Sequence, residues 1–169
     1  MDIEQERMLF FRIRNGDKEA FSALYREYRT PVYTILIRIV GSRETAEDLL
    51  HDLFLRLFEA PPGEEVRNTR AWIFRMARNL AIDSLRTAHP SEELDETIPG
   101  ADGEIETSLD LASAMRYLPP AQRELVTLHA VLGLSFTEIT QITGRSLPSV
   151  WRGYQSAIGL LRKRMNGGN

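Results

Sequence analysis

Over residues 17–86, and again over 109–165, the chain repeats apolar residues every three to four positions. No segment alternates with period two between turn residues. A chain patterned in this way is restricted to amphipathic helices that bury one stripe each. Residues 17–29 (DKEAFSALYREYR) set Phe21, Leu24, Tyr25 and Tyr28 on one face. Pro31 suits the first turn of a second helix, with Val32, Ile35, Leu36, Ile39 and Val40 apolar and Gly41 as its end. Ser42 offers an N-cap to a third, running through Phe58 and burying Ala46, Leu49, Leu50, Leu53, Phe54 and Leu57. Pro61-Pro62-Gly63 stops it. A fourth spans about Thr69 to Arg86, with Trp72, Ile73, Met76, Leu80 and Leu85 apolar. The predicted fold class is all-α.

Beyond residue 108 the spacing changes to short helices. Residues 109–117 end at Leu118-Pro119-Pro120, and 121–132 end at Gly133. Ser135-Phe136-Thr137-Glu138 is a capping box, in which each side chain satisfies the other's orphan backbone donor. The helix it opens closes at Gly144. Ser146 then caps a longer one, with Pro148 in its first turn, that reaches about Met165. Two helices joined by a glycine turn have the geometry of a DNA-reading helix-turn-helix. The same corner also serves as plain packing in helical proteins.

Charge separates these readings where the overall value of −3 cannot. Residues 1–86 hold 14 basic and 14 acidic side chains; residues 87–110 hold eight acids and no Lys or Arg; residues 111–169 hold seven basic and two acidic. The expected organisation is therefore a domain over 1–88, an acidic linker over 89–110 and a basic domain over 111–169. The linker has too few apolar groups to offset its ordering entropy. The local excess of Arg145, Arg152, Arg162, Lys163 and Arg164 favours phosphate contact at the helix-turn-helix.

Composition narrows the chemistry further. A hydrophobic fraction of 43% excludes a wholly disordered chain. With no Cys there is no disulfide, thiolate–metal site or Cys nucleophile, in keeping with a reducing cytosol. No run approaches the roughly 18 apolar residues of a membrane span, so no membrane insertion is expected. His51, His89 and His129 are scattered, and Asp48 with His51 has no second matching pair. No metal, no cofactor and no catalytic constellation is expected.

Three stretches, AFSALYREYRTPVYTILIRIVGSRETAEDLLHDLFLRLFEA, NTRAWIFRMARNLAIDSLR and LPPAQRELVTLHAVLGLSFTEITQITGRSLPSVW, occur in this order. Together they resemble regions 2.1–2.2, regions 2.3–2.4 and region 4 of the extracytoplasmic-function (group IV) sigma factors of bacterial RNA polymerase. The resemblance covers roughly 130 residues. It implies a non-catalytic specificity subunit in the cytoplasm, whose partners are core polymerase, promoter DNA and an anti-sigma protein. Asp48, Asp52 and Arg56 share one helical face, and the resemblance makes them the edge that docks on the clamp helices of the largest polymerase subunit. Arg70, Arg75, Arg78 and Arg86 are interleaved with Trp72, the mixture that single-strand binding uses. By resemblance this helix opens and reads the −10 element, with Asn79 beside an unstacked base. By the same resemblance, contacts to the −35 element are expected from Ser149, from Trp151, Arg152 and Gln155 on bases, and from Arg145, Arg162, Lys163 and Arg164 on phosphates. The acidic linker, by the same resemblance, threads toward the polymerase cleft as a mimic of the RNA backbone.

The recognition helix departs from the family pattern. Gly153, Ser156, Ile158 and Gly159 stand where cations are usual, and Thr140 replaces a small residue where the two helices cross. Two other readings remain beside the sigma factor: a mimic that occupies an anti-sigma protein without reading DNA, and a stand-alone helix-turn-helix regulator.

Overall fold

The computed structural model describes residues 1–88 and 109–167. The expected acidic linker lies outside them, apart from positions 109 and 110. Among the described residues every regular element is helical, as the periodicity predicts.

Helix α1 (Ile3–Arg14) is an element that the apolar pattern did not reveal. Asp2 accepts from the Gln5 N–H while the Gln5 side chain accepts from the Asp2 N–H, a capping box written in the sequence as D-x-x-Q. Its Leu9, Phe10 and Ile13 are buried against α2 (Lys18–Val40) and α4 (Thr69–Ala88). Glu6 is buried as well. Its carboxylate accepts from the Tyr28 hydroxyl on α2 and from Thr69 Oγ1 at 2.9 Å, at the start of α4. Burial, followed by the Glu6 carboxylate beside it, pushes the Tyr28 hydroxyl well above the ordinary tyrosine range.

Helix α2 runs unbroken through Pro31, where two helices were expected. The missing N–H and ring clash cost about 3 kcal/mol in a helix interior. Leu24, Tyr28, Val32, Ile35 and Leu36, which flank the proline, are all buried. Fully burying each such side chain is worth about 1.5–3 kcal/mol, so packing against α1, α3 and α4 overrides the local break. Gly41, at φ 72°, ends α2 in the left-handed conformation that favours glycine. Ser42 caps α3 (Arg43–Glu59) through the Thr45 N–H.

In the C-terminal half, α5 (Leu109–Met115) and α6 (Pro120–Val126) are followed by a π turn over Thr127–Val131. The bond from the Leu132 N–H to the Thr127 carbonyl, at 3.0 Å, takes in one more residue than an α-helical turn. No residue choice in the sequence signals this widening. Helices α7 (Phe136–Thr143) and α8 (Leu147–Asn166) form the helix-turn-helix, and the Ser135–Glu138 capping box is present.

The two halves are packed on each other. Helix α7 lies against α4, and a single apolar cluster includes Ile35, Ile39 and Phe74 together with Leu128, Ile139 and Ile142. A second, smaller cluster of Ala114, Met115, Leu118, Val126, Ala157 and Leu161 holds α5 and α6 to α8.

Candidate nucleic-acid interface

Asn68 caps α4, its side-chain oxygen accepting from the Ala71 N–H at 2.9 Å. At 100° per residue, Trp72, Arg75, Asn79 and Arg86 fall on one stripe of this helix. Arg75, Asn79 and Arg86 are exposed, while Trp72 is half-buried, one part on the core and one part open. Trp72 and Arg75, with Glu65, Val66, Arg67, Asn68 and Ala71, line a cleft of about 340 Å³ that Gln141 of α7 closes on one side. Asn79 lies one turn beyond Arg75 and is not among the lining residues.

Arg70 and Arg78, expected to face DNA with the others, are turned away from that stripe. The same 100° advance carries them toward the C-terminal half. Arg78 Nε lies 2.5 Å from Glu124 Oε1 on α6. Arg70 Nε lies 3.7 Å from Glu138 Oε2 on α7, and an Arg70 guanidinium N–H donates to the Leu132 carbonyl at 3.4 Å. Asn68 Nδ2 donates to the same Glu138 oxygen at 3.4 Å. Position on the helical wheel, not residue type, divides the arginines of α4 into two sets.

On α8, Trp151, Arg152, Gln155 and Arg162 occupy one exposed stripe, with Lys163 at its edge and Ser149 half-buried at its start. Trp151 is 50% exposed and meets the Phe136 ring edge-on at 5.5 Å. Phe136 in turn stacks on His129, which the π turn presents and whose Nδ1 lies 2.7 Å from the Leu134 carbonyl oxygen. Phe136 was overlooked as a support of the reading helix. Arg145 is not free for phosphate, because its guanidinium reaches Glu124 Oε2 at 3.6 Å. Arg164 is folded over the Tyr117 ring, away from the stripe.

The positions that lack cations have physical explanations. A Cβ on Gly153 would meet Leu125 Cδ1 at 2.6 Å, so glycine there lets α8 approach α6. Ile158 packs on the smaller apolar cluster, and the Ser156 hydroxyl accepts from Gln122 Nε2 at 3.1 Å. Thr140 is only half-buried and donates to the Thr137 carbonyl within its own helix, so it does not crowd a crossing. Gly159 and Ser156 are exposed, and a Cβ on Gly159 would meet nothing within 4 Å.

On α3, Asp48 and Arg56 are exposed and Asp52 is half-buried. Arg56 Nη2 pairs with Asp52 Oδ2 at 3.2 Å, within the helix. Sequence reasoning missed the apolar part of this edge: Leu55 is 46% and Phe58 53% exposed, the latter beside Phe21. Large apolar groups left open beside a charged stripe fit a face that another protein covers.

Residues 24–90 match sigma-70 region 2, and residues 108–157 match sigma-70 region 4. The RNA polymerase sigma factor CarQ of Myxococcus xanthus is 34% identical, over 80% of this chain and 83% of its own length. The chain is an extracytoplasmic-function sigma factor of the sigma-70 family. The ECF sigma factor BldN of Streptomyces coelicolor is 32% identical over 86% of this chain, which spans 61% of that relative's length. Among solved structures, CnrH in complex with the cytosolic domain of CnrY superposes with a TM-score of 0.70 at 20% identity, covering 96% of this chain and 98% of the other. That likeness is one of fold. Sigma factors are initiation factors and not enzymes. In this sigma factor the region 2 match contains the α3 edge and the α4 stripe, while α1 precedes it. The region 4 match contains the helix-turn-helix and stops before Arg162, Lys163 and Arg164. No described helix is long and apolar enough to cross a membrane.

Proposed function

We propose that this sigma factor works in the cytoplasm, bringing core RNA polymerase to a set of promoters through three surfaces. The α3 edge of Asp48, Asp52, Leu55, Arg56 and Phe58 docks on the clamp helices of the largest polymerase subunit. The α4 stripe reads the −10 element as single-stranded DNA. The α8 stripe contacts the −35 element, and an anti-sigma protein restrains the whole. The region boundaries fall, in this reading, at 88 and 111.

The observation that carries the reading is the cleft beside Trp72 and Arg75. An unstacked base needs an aromatic face, a concavity and a cation for its phosphate, and these three meet there. The cleft is thus the seat of the base, with Asn79 and Arg86 following the strand along the helix. On α8, Trp151, Arg152 and Gln155 reach bases from the exposed stripe, where an apolar ring suits a thymine methyl and a guanidinium suits guanine. Of the positions without cations, Gly153 and Ile158 serve packing.

The test is run-off transcription from fragments of the host genome with purified core polymerase. A promoter-specific transcript that is lost in Trp72→Ala supports the reading. No transcript from any fragment overturns it and favours a mimic that only occupies an anti-sigma protein. Asp48→Ala with Asp52→Ala is expected to weaken binding to core about tenfold or more without changing the helical content; two charges at an interface edge act on this scale.

A further inference from the structure

Helices α2, α4, α6 and α7 and the π turn border a cleft walled by Ile35, Ile39, Leu128 and Ile142. Three cations reach it, Arg38, Arg78 and Arg123, against one carboxylate, Glu124. That carboxylate is already paired: Arg78 Nε lies 2.5 Å from its Oε1, and Arg145 Nη2 lies 3.6 Å from its Oε2. Arg38 on α2 and Arg123 on α6 thus share an apolar cleft, and among the described residues neither has a carboxylate of its own. Their donors are short of partners too. Arg123 Nε donates to the Met115 carbonyl at 3.1 Å and its Nη2 to the Leu118 carbonyl at 3.2 Å, while Arg38 Nη1 meets the Met115 sulfur at 3.9 Å. Arg38 Nε and Arg123 Nη1 are buried without a hydrogen-bond partner among the described residues. A buried donor on a charged group is costly to leave unpaired. Burial, then the Arg123 charge, presses Arg38 below the ordinary arginine range, and burial does the same to Arg123.

Size and surroundings define what suits these donors. The cleft has a free volume of about 20 Å³, little more than the roughly 10–15 Å³ that one water-sized body needs. Its apolar walls penalise a strongly hydrated, multiply charged oxyanion far more than a monovalent ion. Water would accept from both N–H groups but would leave two like charges uncompensated. We propose that this cleft is a binding site for one chloride-sized monovalent anion, held by Arg38 Nε–H and Arg123 Nη1–H. The ion satisfies both donors by charge-assisted hydrogen bonds and sets a negative charge beside two positive ones. Glu124 opposes it weakly, because its own charge is spent on Arg78 and Arg145. The site draws on α2 and α6 together, so occupancy stabilises the folded chain as a whole.

The full chain is melted at constant ionic strength while sodium chloride replaces sodium gluconate, whose anion is far too large for the cleft. A melting temperature that rises and saturates over about 2–4 °C, together with broadening of the chloride NMR line by the protein, supports the site. Arg38→Met removes one donor and one charge while keeping an apolar stem. It is expected to lose both chloride effects and, in gluconate, to melt no lower than the parent, since a pair of like charges is gone. Equal melting of the parent in the two salts overturns the site and leaves water on the two donors. A rise that Arg38→Met keeps in full also overturns it, as a salt effect unrelated to the cleft. Should Arg38→Met lose helical content, Arg38→Gln is measured against the same outcomes.

Discussion

Two glycines of α8 provide a sharp test of the packing, because helix propensity treats them alike and the tertiary structure does not. Replacing an interior glycine by alanine strengthens a helix by about 0.8–1 kcal/mol. At Gly159 the new Cβ meets nothing, so Gly159→Ala is expected to gain that full amount. At Gly153 the Cβ would stand 2.6 Å from Leu125 Cδ1, where ordinary contact begins at 3.4 Å. Leu125 is 1% exposed and packed in the core, so its methyl can move only by disturbing neighbours. Overpacking of this kind costs about 1–3 kcal/mol, which leaves Gly153→Ala about 0–2 kcal/mol less stable than the parent after the propensity gain. The gap between the two variants isolates the contact. It is read from urea midpoints, followed by helical circular dichroism and by the combined emission of Trp72 and Trp151. Leu125→Ala, which costs about 2–5 kcal/mol in a well-packed core, should cost less in the Gly153→Ala background, by the size of the clash. Equal stabilisation by both glycine replacements would refute the close approach of α8 to α6, and with it the account of why no cation stands at 153.

Two further outcomes follow from the geometry. Glu6→Ala strands the Tyr28 and Thr69 hydroxyls in the core, at about 1–3 kcal/mol for each buried polar group left without a partner; a thermal melt within 1 °C of the parent would show that α1 is not pinned by this carboxylate. Gly159→Arg adds a cation to the exposed stripe of α8, so binding to random-sequence duplex should tighten. The slope of log K against log salt should steepen by about 0.9, one further phosphate contact, and an unchanged slope places the stripe away from DNA.

The helical class, the caps at Ser42, Ser135 and Ser146, and the breaks at Gly41 and Gly144 were all legible in the chain, because each is a local matter of period and backbone donors. The α1 capping box is equally local, since Asp2 and Gln5 stand three positions apart in the chain. Pro31 and the π turn were not legible. Each costs energy locally, and only burial of residues remote in sequence makes it tolerable.

The candidate surfaces divide in the same way. Residue types alone marked the aromatic–arginine helix and the cationic end of the chain. They could not distinguish Arg75 from Arg78, or Gly153 from Gly159, since those differences lie in what faces each position. The sequence by itself determined an all-α sigma factor with its acids and bases segregated along the chain. Which cations remain open to nucleic acid was decided by the tertiary structure. A helix fixes only the angle between its side chains, and the neighbour that packs on it determines which angles are covered.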